Sequence, residues 1–196
     1  MLPAGAALLL IDVQVGLADP RLGERNNPHA EERMAELLAA WRRSGRPVVH
    51  VQHLSTNPGS PLRPELPGVE IDPRVRPLPG EPLFQKHVNS AFIGTGLEAH
   101  LRERGIGTLV VAGLTTDHCV STTVRMAGNL GFRTYLVADA TACHPKVAHD
   151  GTAYDAQLVH DTALASLHGE FAEVVESVAV LAMVDGTGAV PAAPGA

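Results

Sequence analysis

Five short apolar runs punctuate the chain, at Ala6–Ile11, Pro47–Val51, Thr108–Ala112, Arg133–Ala138 and Phe171–Val175, and the stretches between them carry apolar residues at helical spacing. A run that is apolar throughout reads as a strand covered on both faces, and such strands alternating with helices read as a parallel sheet. The first helix is expected from Pro28, capped by Asn27, through Met34, Leu37, Leu38 and Trp41 to Gly45, with proline at its first position and glycine just past its end. A second opens at Thr95-Gly-Leu-Glu98, which has the form of a capping box, and stops at Gly105. Val120–Leu130 before Gly131 and Tyr154–Leu167 before Gly169 predict two more. Each helix leads into a strand, as right-handed crossovers require. The expected class is α/β, a mostly parallel sheet between layers of helices.

One segment breaks this rhythm. Leu54–Pro82 carries Pro58, Pro61, Pro64, Pro67, Pro73, Pro77, Pro79 and Pro82, through which regular structure cannot persist. A loop of that length in a compact domain is expected to be a lid or a contact surface. The Gly/Pro/Ala-rich stretch 185–196 predicts a disordered tail, leaving 1–184 as the folded domain.

Composition narrows the function classes. The 196 residues, 45% hydrophobic, suit one substantial core, and an aromatic content of 4% favours small aliphatic pockets over base-stacking platforms. A formal charge of −6 without a Lys/Arg cluster argues against nucleic-acid or membrane-surface partners, and Arg42, Arg43 and Arg46 read as a solvated helix end. The two cysteines, Cys119 and Cys143, and the lack of an apolar run of bilayer length predict a reduced, cytoplasmic protein. The first apolar run follows no basic region and ends in Asp12, so it predicts a buried strand and not a leader.

Three residues carry the candidate chemistry. In open α/β sheets ligands bind beyond the carboxyl ends of the strands. Asp12 ends the first strand, Lys86 ends the short run Leu83-Phe-Gln-Lys, and Cys119 follows the strand closing at Ala112. A carboxylate at a core boundary needs a partner, and Lys86 is the expected one. With Thr116 as N-cap, Cys119 falls in the first turn of a helix, where free N–H groups and the dipole favour a thiolate. By position, Gln14, His53, Phe92 and His118 are further candidate pocket residues, whereas Cys143 lacks equivalent neighbours and is expected to be inert.

Asp12 within Leu-Leu-Ile-Asp-Val-Gln, Lys86 followed by Asn-Ser-Ala-Phe92, and Gly113-Leu-Thr-Thr-Asp-His-Cys119-Val resemble the isochorismatase-like cysteine hydrolases, which include nicotinamidases, N-carbamoylsarcosine amidase and ureidoacrylate amidase. The resemblance runs from about Ala6 to Val175. It implies a Rossmann-like three-layer α/β/α fold with a six-stranded sheet and an Asp12–Lys86–Cys119 triad. A cis Leu114–Thr115 peptide is implied as well, turning the Thr115 N–H toward that of Cys119 as an oxyanion hole. It further implies a homodimer or higher homo-oligomer acting on a small amide or ureido substrate through a thioester. A vinyl-ether or ester hydrolase, or a redox-sensing thiol protein, is the alternative; isochorismatases proper lack the cysteine nucleophile.

Cofactor signals are weak. Nicotinamidases carry an Asp-x-His metal motif where this chain has His53 and Ser55, a departure that predicts neither metal nor nicotinamide. His50 and His53 fall on opposite faces of a strand, a poor chelating geometry. Gly94-Thr-Gly96-Leu-Glu-Ala99 matches a dinucleotide fingerprint in letters, but its first glycine does not follow a strand directly. No cofactor is expected.

Overall fold

The computed structural model describes residues 1–188. In chain order the elements are β1 (Ala7–Ile11), α1 (Ala30–Ser44), β2 (Val48–His53), β3 (Leu83–Lys86), α2 (Leu97–Glu103), β4 (Thr108–Leu114), α3 (Ser121–Asn129), β5 (Arg133–Ala142), β6 (Lys146–Val147), β7 (Ala153–Tyr154), α4 (Ala156–Ala165), β8 (Glu173–Val175) and α5 (Ser177–Val184). Six strands form one sheet in the order β3-β2-β1-β4-β5-β8, every neighbouring pair parallel. The connections run outward from β1 to β3 on one side, then from β4 to β8 on the other. The crevice between β1 and β4 is thus the topological switch point, where open sheets of this type place their ligands.

Both faces of the sheet are covered, as the continuous apolar strands require. Leu8 and Leu10 of β1 pack with Met34, Leu37, Leu38 and Trp41 of α1 and with Val180 and Met183 of α5. Ala7, Leu9 and Ile11 point the other way, into a cluster with Leu97 and Leu101 of α2 and Val124 of α3. That alternation is the period of a strand read against two helical layers. Trp41 is fully buried and satisfies its indole N–H on the Ala6 carbonyl at 3.0 Å.

Between β1 and β4 the backbones approach so closely that only glycine fits at position 113. Gly113 has φ +136°, and a Cβ there would lie 2.1 Å from the Ile11 carbonyl oxygen. Gly113, just past the predicted strand end at Ala112, is therefore a close approach within the strand: β4 continues to Leu114, two residues further.

Several helix boundaries differ from the sequence expectation for identifiable reasons. Asn27 does not cap α1; it sits at φ +45° and donates its amide to the Ala138 and Thr141 carbonyls at 3.0 and 2.7 Å, tying the loop to β5, and the helix begins at Ala30. Gly45 ends α1 in the left-handed conformation as predicted. Thr95 donates to the Ala91 carbonyl and accepts from Leu97 N–H, so α2 starts at Leu97 and no capping box forms. Thr116 does not cap α3 either: Thr116–Val120 is a wide turn closed by Val120 N–H on the Thr115 carbonyl, and Ser121 begins the helix. The glycine-rich 94–99 stretch lies in the turn into α2, eight residues past the end of β3, which removes the dinucleotide reading. Helix α5 and the β6–β7 hairpin were not anticipated; Val-Ala-Val-Leu-Ala-Met-Val has no polar face to reveal a helical period. Thr187 and Gly188 N–H groups bond back to Ala182, so the start of the predicted tail closes α5; its remainder, 189–196, lies outside the described residues.

The proline-rich segment is packed and not loose. It forms short 3-10 turns at Pro67–Val69 and Pro73–Val75, and it is pinned by Val15 N–H on the Glu70 carbonyl and Asp72 N–H on the Val13 carbonyl. A Cβ on Gly68 would meet the Pro61 carbonyl oxygen at 2.3 Å. Its far end is held by Glu81, which takes both Arg42 nitrogens at 2.8 Å, the Leu78 N–H at 2.8 Å and His50 Nε2 at 3.0 Å. Burial works to raise the Glu81 carboxyl, but the Arg42, Leu78 and His50 contacts outweigh it and bring it from 4.5 down to about 2. A depressed carboxylate stabilises the fold above its unfolded pKa and loses that contribution as pH falls through the folded value. Glu81→Gln is thus expected to cost on the order of 2 kcal/mol at pH 7, with the gap to wild type closing between pH 4.5 and 2. Chemical denaturation at several pH values tests this; a gap that stays constant across that window would rule out the carboxylate as its source.

Candidate functional site

Asp12 is the first residue beyond β1, and its N–H bonds to the Val51 carbonyl at 3.0 Å while its backbone takes φ +50°. That left-handed conformation is uncommon for a residue with a side chain, though Asp tolerates it better than most, and it marks a place where position outranks local comfort. Lys86 is the last residue of the edge strand β3 and lies directly across from His53 of β2 in the parallel register. Side chains paired across strands point to the same face, so both reach over the end of the sheet toward β1. Lys86 Nζ sits 2.6 Å from Asp12 Oδ2 and 3.2 Å from His53 Nδ1, with both charged side chains buried to within 1%. An N–O separation that short is a charge-assisted hydrogen bond.

Cys119 comes from the other side of the switch point, on the wide turn that follows β4. Its Sγ, a nitrogen of His53 and a carboxylate oxygen of Asp12 lie within 4.8 Å of one another. The structure thus brings together the three residues that the sequence placed at one sheet edge. The Leu114–Thr115 peptide is cis, as the resemblance implied.

The electrostatics differ from the expectation of a thiolate. Burial, then the neighbouring Asp12 charge, pushes the Cys119 thiol up to about 12, and Lys86 offsets only part of this. The helix-end argument fails because the wide turn buries the sulfur beside a carboxylate, and the loss of solvent first, then the repulsion of a second anion, outweigh the partial charge of the helix terminus. Burial also raises Asp12, with the Lys86 ammonium pulling it back. Burial and the same ammonium lower His53 to about 4, so its imidazole is neutral near pH 7 and its Nδ1 accepts from Lys86. The resting site is a neutral thiol facing a buried carboxyl group whose ionised form burial disfavours and the neighbouring ammonium favours.

A cavity of about 520 Å³ opens over these groups. Asp12, His53, Thr115, His118 and Cys119 line its floor and one side, with Asn89 3.8 Å from the sulfur. Ser55, Asn57, Ser60 and Leu62 of the proline-rich segment also line it. Arg21 and Lys146 reach it from the rim. Ser55, Asn57 and Ser60 thus supply polar groups beside the apolar Leu17, Leu22, Leu62 and Leu114, a mixed lining that suits a small ligand with hydrogen-bonding groups.

Two predicted pocket residues lie elsewhere. Gln14 is buried behind His53, accepting its N–H at 2.9 Å and donating to the carbonyls of His53 and Val69 at 3.0 and 2.8 Å; it holds His53 in place and joins the proline-rich segment to β2. Phe92 stacks on Phe132 with ring centroids 5.8 Å apart and belongs to the apolar core. His118 is at the cavity but largely exposed, 3.3 Å from Asp117. Asp117 itself takes the Thr115 hydroxyl at 2.8 Å and Lys146 at 3.2 Å, bracing the turn that bears the cysteine. Cys143 donates to the same carboxylate at 3.3 Å and is buried, with its thiol also pushed up to about 12. Asn89 and the serines were missed because single polar residues in loops carry no periodic signal; only Asn89's place three residues after Lys86 offered a hint.

The nicotinamidase-type metal motif does not fit these residues. Where that motif has a carboxylate and an imidazole, this chain has the imidazole of His53 and the hydroxyl of Ser55, whose Oγ accepts from Asn57 N–H. His50 is buried on the other face against Glu81.

Comparison with known proteins shows the family and the fold. The family model described as Isochorismatase domain matches residues 6–178. The Bacillus subtilis isochorismatase family protein YrdC is 47% identical over 169 residues, covering 86% of this chain and 90% of its own. A streptothricin hydrolase of Streptomyces noursei is 36% identical over 138 residues, 70% of this chain and 50% of its own. Among solved structures, a hydrolase of the isochorismatase family from Chromobacterium violaceum superposes with a TM-score of 0.91 at 46% identity, covering 95% of this chain and 96% of that one. With a matching family model across most of its length and the sheet order and site geometry described above, the chain belongs to the isochorismatase family of hydrolases.

Proposed function

We propose that the protein is a cysteine-dependent hydrolase of a small amide, ureido or related C–N bond, acting through a thioester on Cys119. The observation that carries this reading is the Cys119 sulfur beside a carboxylate that is itself fixed by a buried ammonium 2.6 Å away. A thiol so far from ionising needs a base at the moment of attack, and Asp12 is in place to be that base. Sγ bonds to the substrate carbonyl carbon as the thiol proton passes to Asp12. The oxygen turns anionic against the Thr115 and Cys119 backbone N–H groups. Asp12 then gives its proton to the departing nitrogen, the C–N bond breaks, and ammonia or an amine leaves the thioester. Water attacks next, Asp12 takes its proton, and the carboxylic acid departs as the thiol is restored. Lys86 stays charged throughout and keeps Asp12 able to cycle.

The polar groups of Ser55, Asn57 and Ser60 favour a substrate with its own hydrogen-bonding groups, as amides and ureides have. An ammonia-release screen over small amides and ureides, blanked with Cys119→Ala, is expected to give at least one compound turned over well above the blank. Silence across such a panel alongside turnover of simple esters would replace the C–N reading with an ester hydrolase.

A further inference from the structure

We propose that Asp12, His53 and Cys119 also form a site for a thiophilic divalent metal ion such as zinc, and that its occupancy blocks the active site reversibly. A carboxylate oxygen, an imidazole nitrogen and a thiol sulfur within 4.8 Å of one another are the three ligand types zinc prefers. With zinc–ligand bonds of about 2.0–2.3 Å, a tetrahedral shell holds its ligands about 3.3–3.8 Å apart, so the cluster needs only a small inward movement. Cys119 can supply it, being only partly buried and held by a long 3.8 Å contact to Asn89.

A second observation points to the same place. Asp12 Oδ1 is buried and has no hydrogen-bond partner, in a residue only 1% exposed, while Oδ2 is already taken by Lys86. The candidate donor to that oxygen is the Cys119 thiol, and a cation that displaces the thiol proton would take the oxygen as a ligand as well. Metal bound there leaves the Asp12–Lys86 pair intact. The metal–sulfur bond forms as the thiol proton leaves to solvent; the thiolate and carboxylate then balance the two positive charges of the ion. The fourth position faces the cavity. This site is distinct from the nicotinamidase-type motif, since it draws on the nucleophile itself and inhibits where that motif would serve the reaction. Lys86 places a positive charge next to the ion, which keeps occupancy reversible.

Tag-free protein titrated with cobalt(II) alone tests the site through the intense near-ultraviolet absorption of a thiolate–cobalt bond. One equivalent per chain is expected to produce the band, Cys119→Ala to abolish it, and His53→Gln to weaken binding at least tenfold. No band, or a band that survives Cys119→Ala, overturns the site; Cys143 remains in every variant and serves as the internal control. Because Cys119→Ala deletes one partly buried sulfur, it keeps the test valid even if His53→Gln folds poorly. Inhibition by zinc, with recovery on adding a chelator, is the functional arm and rests on the catalytic role given to Cys119. A Cys119-dependent band with undiminished turnover would confirm the metal site and remove that catalytic role, so the two failures are told apart.

Discussion

Cys119→Ala is expected to lower kcat/KM at least about 10³-fold on any substrate the wild type hydrolyses, while shifting the melting temperature little. The size follows from losing the covalent route altogether: with no sulfur, only substrate binding and the oxyanion donors remain to assist direct attack by water. The small thermal effect follows from the position of the side chain, which packs against the edge of the core but is partly exposed at the cavity, so that its removal leaves no sealed void. Cys143→Ala is the instructive comparison. That thiol is fully buried against Asp117, so its loss is expected to reduce stability and to leave the chemistry nearly unchanged. Acid-quenched wild type, examined by intact-protein mass spectrometry during turnover, should carry the substrate's acyl mass on the peptide containing Cys119. Turnover by Cys119→Ala within tenfold of wild type would end the thioester scheme.

How much of this site could be read in the sequence depends on what each residue's signal was made of. Asp12, Lys86 and Cys119 were legible because each follows an apolar run, and a parallel sheet gathers the ends of such runs at one edge. The sheet and its two covered faces were legible for the same reason, since β1 and β4 are almost wholly apolar and β5 carries the apolar run Tyr135–Ala138. The electrostatics were not. The depth to which the wide Thr116–Val120 turn sets the sulfur beside Asp12 reverses the expected effect of the helix end on the thiol, and nothing in the spelling of that turn reveals it. Gln14 and Phe92 show a second limit. Both lie near motif residues in the chain, yet one is spent clamping His53 to Val69 and the other is drawn into the core by Phe132. Proximity in sequence located the site but did not assign which side chains face its interior. The proline-rich segment shows the converse. Its prolines correctly excluded regular structure, while its role in lining the cavity arises from backbone contacts to Val13, Val15 and Gly16 that no local pattern encodes.

Lys86→Gln is the second change with a large expected effect, and its consequences divide between stability and rate. In the wild type burial raises the Asp12 carboxyl, and the ammonium is the group that offsets part of that rise. Without it, burial acts unopposed, so the carboxyl climbs and an increasing share is protonated near pH 7. A protonated Asp12 cannot accept the Cys119 proton, and the rate is expected to fall by about 10²–10⁴, the usual worth of a positioned base. The pH profile carries the signature. Activity of Lys86→Gln should climb with pH as Asp12 ionises, over a range displaced to higher pH than in the wild type; a merely loosened site would lower the curve without displacing it. Stability follows the same carboxyl with the opposite sign. A group whose folded pKa lies above its unfolded value of 3.8 favours the fold below 3.8 and loses that advantage as pH rises through the folded pKa. The variant should therefore lose ground to wild type toward alkaline pH, approaching the roughly 3–5 kcal/mol typical of a buried charge stripped of its partner. Pairing it with Asp12→Asn removes the stranded charge. The double variant is expected to regain much of the lost stability while remaining inactive, and a double variant as unstable as Lys86→Gln alone would show that Lys86 supports the fold through packing and not through the charge it holds on Asp12.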